Sequence, residues 1–234
     1  MNEIWWLVML IANFAMVTAA YRFFGKIGLF VWVPVSTILA NIQVVQTVEL
    51  FGMAATLGNI VYATSFLVTD ILSEIYGKED AKKAVWIGFF SLIAMTLIMN
   101  LALLFAPLAD EFSQTTSQSL SHIFSLMPRI AAASLIAYLV SQQHDIWAYH
   151  FWRKRFPAQK HIWIRNNLST IVSQLIDSVI FTLIAFLGVL NTAVLIEVIL
   201  STYVLKFIVA AADTPFVYLA VRLSRKIDVP ERAN

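Results

Sequence analysis

The 234 residues of this sequence include no cysteine, and this absence excludes several kinds of chemistry. Disulfides, iron–sulfur clusters and thiolate zinc sites all require cysteine sulfur. The chain also lacks the HExxH pattern of zinc proteases and the GxxxxGK[ST] loop that holds nucleotide phosphates. We therefore expect no enzyme, no metal site, no cofactor and no ATP hydrolysis by this chain.

Charge is also scarce, because charged residues make up 13% of the chain and hydrophobic residues 60%. The longest polar gaps, Asp110–Ser121 and Arg153–Arg165, are too short to bury a core of their own. The net charge of +2 is spread over several gaps and does not form the clustered basic face that nucleic acids require. The sequence thus argues against a soluble domain and against direct nucleic-acid binding.

What the sequence does contain is a series of long apolar segments. A helix needs about 20 such residues to cross the hydrocarbon of a bilayer. Seven segments come near this length: Ile4–Tyr21, Leu29–Val48, Met53–Tyr76, Ala84–Pro107, Leu126–Trp147, Asn166–Leu190 and Thr192–Val221. The sequence predicts an all-α integral membrane protein, a single domain over residues 1–234 built as a bundle of about seven transmembrane helices.

Positive charge alternates between the gaps that separate these spans. All but Arg129 and Lys206 of the 16 Lys and Arg residues lie in every second gap or in the C-terminal tail. Gaps rich in Lys and Arg stay on the cytoplasmic side of the membrane. We therefore predict a multi-pass protein with its N-terminus outside and its C-terminus in the cytoplasm.

Three charged residues lie deep in the last two spans. Such a residue costs roughly 2.5 to 3.5 kcal/mol on insertion scales unless it is paired or faces water. Asp177 and Lys206 fall at similar depth in antiparallel neighbouring spans, so an ion pair between them is geometrically allowed. Asp213 follows two turns nearer the cytoplasm, beside Pro215, which permits a kink. These three are the strongest functional candidates.

Polar residues also recur along one face of two spans. A spacing of three or four residues places side chains on the same side of a helix. In the sixth span the series is Asn166 or Asn167, Thr170, Ser173 or Gln174, Asp177 and Phe181. In the third span it is Asn59, Tyr62, Phe66, Asp70 and Ser73, with Glu74 one turn after Asp70. The face in the sixth span is polar along most of its length, and the kinked, charged seventh helix suits a cavity wall.

Several of the polar residues also have purely structural interpretations. One group lies near the cytoplasmic interface, where it can be hydrated or can pair with Lys78, Lys82 or Arg153: Asp70, Glu74, His144 and Asp145. Arg129 lies close to the outer headgroups and can extend its charge toward them. Side-chain amides can serve as hydrogen bonds between helices, and this applies to Asn41, Gln43, Gln46 and Asn59.

Specific motifs resemble those of the queuosine precursor transporter family, also called the vitamin uptake transporter (VUT) family. They are Ala40-Asn41-Ile42-Gln43, Glu49-Leu50-Phe51-Gly52, Thr56-Leu57-Gly58-Asn59, and the runs from Val68 to Lys78, Arg129 to Ser134, Gln174 to Ser178 and Lys206 to Pro215. The resemblance extends from about Ala40 to Tyr218. It implies a bacterial inner-membrane carrier for 7-deazaguanine precursors of queuosine, such as 7-cyano- and 7-aminomethyl-7-deazaguanine, with distant similarity to the substrate-binding components of energy-coupling-factor vitamin importers.

The candidate residues suit such a substrate. A 7-deazaguanine presents two adjacent donors that one carboxylate can accept, and a carbonyl oxygen that an amide or ammonium can donate to. Asp177 with Gln174 or an asparagine could do this, and the flat ring could stack on Tyr62, Phe66, Phe181 or Tyr203. The predicted substrate-binding residues are Asp177, Gln174, Lys206, Asp213, Asn59, Asp70, Asn41, Arg129, Asn167 and Tyr62.

Three aspects of the function stay open at the level of sequence. The substrate could instead be another small vitamin-like heterocycle, bound by a carrier or by an energy-coupling-factor-like component. Transport could be driven by a proton or sodium gradient with Asp177, Asp213 or Glu74 as the titrating group, could be facilitated, or could use an energising partner. The expected partners are a small-molecule substrate and the lipid bilayer, and both a monomer and a homodimer are compatible with the sequence.

Overall fold

Helices make up nearly all of the computed structural model, which describes residues 1–44, 46–124, 128–188 and 192–224. The elements are α1 (Asn2–Gln43), β1 (Thr47–Leu50), β2 (Met53–Thr56), α2 (Gly58–Ile75), α3 (Lys78–Ala102), α4 (Glu111–Phe124), α5 (Pro128–Arg155), a 3-10 turn (Gln159–His161), α6 (Ile162–Phe186) and α7 (Thr192–Ser224). The prediction of an all-α membrane protein is confirmed.

The 42-residue α1 is a helical hairpin with two arms. Its backbone leaves helical geometry at Gly25 (φ 57°, ψ −139°), a conformation that glycine adopts readily. A Cβ atom added to Gly28 would lie 2.1 Å from the carbonyl oxygen of Ala20, although residues eight apart in a straight helix are separated by about 12 Å. The chain therefore reverses at Gly25, and residues 2–24 and 26–43 provide the first two predicted spans.

A short β-hairpin follows the second arm and contacts the start of the first. β1 and β2 pair antiparallel, and Phe51 and Gly52 between them both have positive φ, as a tight hairpin turn requires. The side-chain amide of Asn2 donates to the carbonyl of Glu49 (3.1 Å). The prediction that Thr47, Val48 and residues 53–56 belong to spans is wrong, because this stretch forms the hairpin.

The remaining helices fall where the other spans were predicted. Four segments are long and apolar enough to cross a membrane: α1, α3, residues 159–186 (the 3-10 turn and α6), and the part of α7 that begins at Leu195. If the bent pair of α4 and α5, which meet at an angle of 41°, counts as one span, it is a fifth. Of these segments, α1 provides two spans, one from each of its arms. The 18-residue α2, which is not among these segments, packs against the other helices and completes the predicted set.

A helix also occupies the acidic gap for which no structure was predicted. α4 begins after Asp110, whose carboxylate accepts a hydrogen bond from the backbone N–H of Ser113 (2.9 Å). This bond satisfies a free amide of the first helical turn and lowers the pKa of Asp110. The Ser- and Gln-rich segment can thus be helical because it has a good N-terminal cap.

Packing places polar side chains inside the bundle and many large apolar ones outside. α5 packs closely on α6, α1 on α2, and α7 on both α6 and α2. The predicted basic gaps meet at one end of the bundle, where Lys26 pairs with Asp80 (2.7 Å) and Arg153 donates to the carbonyl of Ser73 (2.7 Å). The charge pattern predicts that this end faces the cytoplasm, so we call it the inner end, and we call the end with the β-hairpin the outer end.

Candidate functional site

A small cavity of about 40 Å³ lies between the second arm of α1 and helices α2, α5, α6 and α7. The residues around it are Ala40, Asn41, Val44, Gly58, Asn59, Tyr62, Ser134, Ala137, Asp177, Phe181 and Lys206. We call it the central pocket. It includes Asp177, Lys206, Asn59, Asn41 and Tyr62 from the predicted site.

Asp177 is the centre of the polar network in this pocket. The Tyr62 hydroxyl (2.7 Å) and the Ser141 hydroxyl (3.1 Å) donate to its Oδ1. The Lys206 ammonium donates to its Oδ2, so the structure contains the ion pair that the depth of the two residues allowed. Both partners are 3% exposed, and breaking such a buried pair is strongly destabilising. Ser141, which the sequence analysis missed, is a small polar residue inside an apolar span.

Two asparagines leave hydrogen-bonding atoms unused beside Asp177. Asn41 donates to the carbonyl of Thr37 (2.9 Å), and its Oδ1 has no partner. The Nδ2 of Asn59 also has no partner. Both residues border the central pocket, so the pocket offers one free acceptor and one free donor to a bound molecule. A buried polar atom without a partner is costly, and a polar ligand would remove that cost.

Aromatic rings form the apolar part of the pocket. Tyr62 and Phe181 border it, and edge contacts with Phe66 (5.9 Å) and Tyr138 (5.7 Å) hold the Tyr62 ring in place. Tyr203, another predicted stacking residue, contacts Phe207 instead. Neither Phe66 nor Tyr203 is among the residues around the pocket.

A glycine allows the two walls at the mouth of the pocket to approach closely. A Cβ on Gly58 would lie 2.4 Å from the carbonyl oxygen of Ala40 and 3.2 Å from the amide nitrogen of Val44. Both are backbone atoms, so a larger residue would force α2 away from α1.

We expect Gly58→Ala to destabilise the protein by about 1–3 kcal/mol, as overpacking does, and to weaken ligand binding because the pocket wall moves. Melting temperature and ligand affinity in detergent measure both effects. Thr115→Ala, on the exposed face of α4, is the control and should change neither. An unaltered melting temperature for Gly58→Ala would contradict this description of the contact.

The other predicted site residues lie away from the central pocket. Arg129 is exposed and donates to the carbonyls of Ile184 (2.8 Å) and Leu187 (2.6 Å), so it caps the C-terminal end of α6. Asn167 donates to the carbonyl of Trp163 and to the hydroxyl of Thr214. Gln174 is fully buried, but neither atom of its amide has a partner.

Asp70 and Asp213, also predicted site residues, belong to a second group of polar residues nearer the inner end. With Asp145 they form what we call the carboxylate cluster, and each is at most 1% exposed. Thr170 donates to Asp70 (3.3 Å), and Asn166 donates to Asp213 (2.7 Å). The interpretation of Asp70 and Asp145 as hydrated interfacial residues is wrong, because α6 packs its polar face over them.

A buried ion pair lies between this cluster and the inner end of the bundle. Arg165, 1% exposed, pairs with Glu74 (2.9 Å), which also accepts a hydrogen bond from the Tyr149 hydroxyl (3.0 Å). Arg165 additionally donates to the carbonyls of Phe156 and Pro157 (both 3.1 Å). The sequence analysis placed Arg165 in a cytoplasmic gap. Its position four residues before Ser169, on the polar face of α6, was the signal for burial.

Fold and pocket together define a class: a multi-span membrane protein with a polar pocket inside its helix bundle. Residues 56–220 match the family described as "Putative vitamin uptake transporter". The chain belongs to this family, which confirms the resemblance in its motifs, and it is a transporter, not an enzyme.

Three relatives carry related names. A "Probable queuosine precursor transporter" of Bacillus subtilis (strain 168) is 45% identical over 222 residues, 95% of this chain and 96% of the relative. The protein of the same name from Haemophilus influenzae is 28% identical over 136 residues, 58% of this chain and 54% of the relative. A "Queuosine precursor transporter" of Escherichia coli (strain K12) is 24% identical over 147 residues, 63% and 62% of the two chains. No solved structure matches the chain.

Proposed function

We propose that this protein imports 7-deazaguanine precursors of queuosine, 7-cyano-7-deazaguanine or 7-aminomethyl-7-deazaguanine, across the bacterial inner membrane. The names of its relatives support the substrate class. The observation that carries the proposal is a buried carboxylate, Asp177, in a pocket that an ammonium and free amide groups also line. The alternating charges support an outer N-terminus and a cytoplasmic C-terminus.

The hydrogen-bonding capacity of the pocket matches one edge of the deazaguanine ring. An ionised carboxylate offers about four acceptor positions, of which Asp177 uses two on Oδ1 and one on Oδ2. In our proposal the ring N–H and exocyclic amino group bind this carboxylate, with the amino group taking the free position and the ring N–H replacing Tyr62. Lys206 or Asn59 then donates to the ring carbonyl.

The apolar surfaces of the pocket complete the proposed binding mode. The ring stacks against Tyr62 or Phe181, since a flat heterocycle gains most contact with an aromatic face. Adenine is rejected, because its edge reverses a donor and an acceptor and would leave buried groups of the pocket unpaired. A homodimer stays compatible with the proposal.

Thermal stabilisation of the detergent-purified protein tests this function. A ligand that binds only the folded state raises stability by about 2.7 kcal/mol at a concentration of 100 Kd. We expect a rise of several degrees in melting temperature with 7-cyano- or 7-aminomethyl-7-deazaguanine, less with guanine, and none with adenine. Queuine tests tolerance for a larger substituent.

Two outcomes of this experiment would argue against a deazaguanine substrate. Selective stabilisation by a different vitamin-like heterocycle would favour the alternative that the family description names. The absence of any shift in a protein shown to be folded would contradict the deazaguanine assignment. The predicted distant similarity to energy-coupling-factor components stays a prediction, and it would require a separate energising partner.

A further inference from the structure

The carboxylate cluster brings three acidic side chains together from three helices. Asp70 on α2 interacts electrostatically with Asp145 on α5 and Asp213 on α7, and Asp145 and Asp213 also interact with each other. Neighbouring like charges repel strongly in a medium of low dielectric constant. The central pocket does not include any of the three.

Hydrogen-bond donors near Asp145 are already engaged. Its carboxyl group lies beside the hydroxyls of three residues of α6, Ser169, Thr170 and Ser173. Ser169 donates to the carbonyl of Asn166 (3.1 Å), Thr170 to Asp70 (3.3 Å) and Ser173 to the carbonyl of Ser169 (2.8 Å). Because a hydroxyl has one proton to donate, both oxygens of Asp145 are left without a donor.

The same shortage affects the rest of the cluster. One oxygen of Asp70 and one of Asp213 have no partner, although Asp145, Asp70 and Asp213 are each at most 1% exposed. The amide of Asn166 donates to Asp213 through Nδ2 (2.7 Å), while its own Oδ1 is an acceptor with no donor. This uncharged, fully buried amide is evidence, independent of the acids, that a hydrogen-bond donor is missing here.

Among the described residues, the positively charged side chains near the cluster form ion pairs or hydrogen bonds with other groups. Lys206 pairs with Asp177, and Arg165 pairs with Glu74. Arg153 donates to the carbonyl of Ser73. His144 contacts the hydroxyl of Ser173 (2.9 Å), and Tyr149 donates to Glu74. None of the ion pairs among the described residues therefore neutralises the cluster.

A proton meets this shortage better than a metal ion does. A protonated carboxyl group donates one hydrogen bond and loses its charge, which answers both the missing donor and the repulsion. Among the described residues, no group of three His, Asp, Glu or Cys side chains is arranged to hold a metal ion. We propose that Asp70, Asp145 and Asp213 form a proton-binding site that couples substrate import to proton entry.

The position of the cluster suits this role. Thr170, which contacts Asp70, lies seven residues before Asp177 on α6, which corresponds to about 10 Å along the helix toward the inner end. Gln174 lies between these two positions, fully buried and with both amide atoms unpartnered. The cluster is thus placed between the central pocket and the Glu74–Arg165 pair.

Transport by the protein reconstituted in lipid vesicles tests the inference, which rests on the proposed function. Exchange of labelled 7-cyano-7-deazaguanine at equal pH on both sides measures that function alone. An acid-outside gradient of about one pH unit should then drive accumulation up to about tenfold for each coupled proton. A protonophore should abolish this accumulation, and a sodium gradient should not replace it. Exchange without any response to the pH gradient would overturn the inference and leave the function intact.

The variant Asp145→Asn distinguishes substrate exchange from coupling to protons. We expect this variant to retain exchange and to lose accumulation driven by the pH gradient, and Asp213→Asn provides the same test if Asp145→Asn does not fold. Glu197→Gln removes an exposed carboxylate of α7 that borders neither site, and it should keep both activities. Gradient-driven accumulation that survives in Asp145→Asn would overturn the proposal.

Infrared spectroscopy of the purified protein reports on the cluster without transport. The carbonyl stretch of a protonated carboxylic acid should be present at neutral pH and should weaken in Asp145→Asn relative to Glu197→Gln. Its absence in the unaltered protein would overturn proton binding even if no substrate were transported.

Discussion

Replacing Asp177 by asparagine should lower the affinity for 7-deazaguanines about a hundredfold or more, because hydrogen bonds to a charged group contribute roughly 1.5–3 kcal/mol each. One of the two bonds to the substrate is lost, and the other no longer involves a charge. Asparagine keeps the shape of the side chain but turns one acceptor into a donor, which faces the donors of the substrate. Isothermal titration of the detergent-purified variant measures the effect.

The same substitution should also destabilise the protein, because it leaves the Lys206 ammonium buried without its partner. The double variant Asp177→Asn/Lys206→Met removes that charge and should recover much of the melting temperature without recovering binding. This comparison separates loss of the site from loss of the fold. Asp110→Asn, an exposed carboxylate outside the spans, is the control, and unchanged affinity in Asp177→Asn would remove Asp177 from the binding site.

Arg165→Met should cause the largest loss of stability. It leaves the Glu74 carboxylate buried with only the Tyr149 hydroxyl as donor, and it frees the carbonyls of Phe156 and Pro157. Breaking a buried pair in this way costs about 3–5 kcal/mol. For a chain of this size that corresponds to a fall in melting temperature on the order of 10 °C.

Two further variants interpret this measurement. Arg155→Met removes an exposed arginine from the end of α5 and should change the melting temperature little. Adding Glu74→Gln to Arg165→Met removes the unpaired charge and should restore part of the loss. Equal effects of Arg165→Met and Arg155→Met would show that burial of the pair contributes nothing.

The sequence carried most of the information about the spans and about the depth of charged residues. The Arg22 and Lys26 gap predicted the reversal that the structure places at Gly25. Matching depths of Asp177 and Lys206 allowed their ion pair. Both results follow from the cost of charge in hydrocarbon, a constraint that acts on each position along the chain and needs no knowledge of neighbouring helices.

Features that depend on which helices meet were not predictable in the same way. Phe51 and Gly52 form a hairpin turn within an apolar stretch, where hydropathy does not distinguish strand from helix. Hydration or pairing at the cytoplasmic interface was one interpretation of Asp145, yet Ser169, Thr170 and Ser173 of α6 cover it. Ser141 reaches Asp177 only because α5 packs closely on α6.

The Asp177 carboxylate fastens α6 to three other helices at once, through Tyr62 of α2, Ser141 of α5 and Lys206 of α7. A substrate that binds to the same lone pairs competes with these interhelical hydrogen bonds. Ligand occupancy and bundle conformation are therefore thermodynamically linked. Such a ligand favours whichever arrangement leaves the carboxylate most available, by no more than its difference in affinity between the two arrangements. Recognition of the substrate and rearrangement of the bundle thus depend on the same two carboxylate oxygen atoms of Asp177.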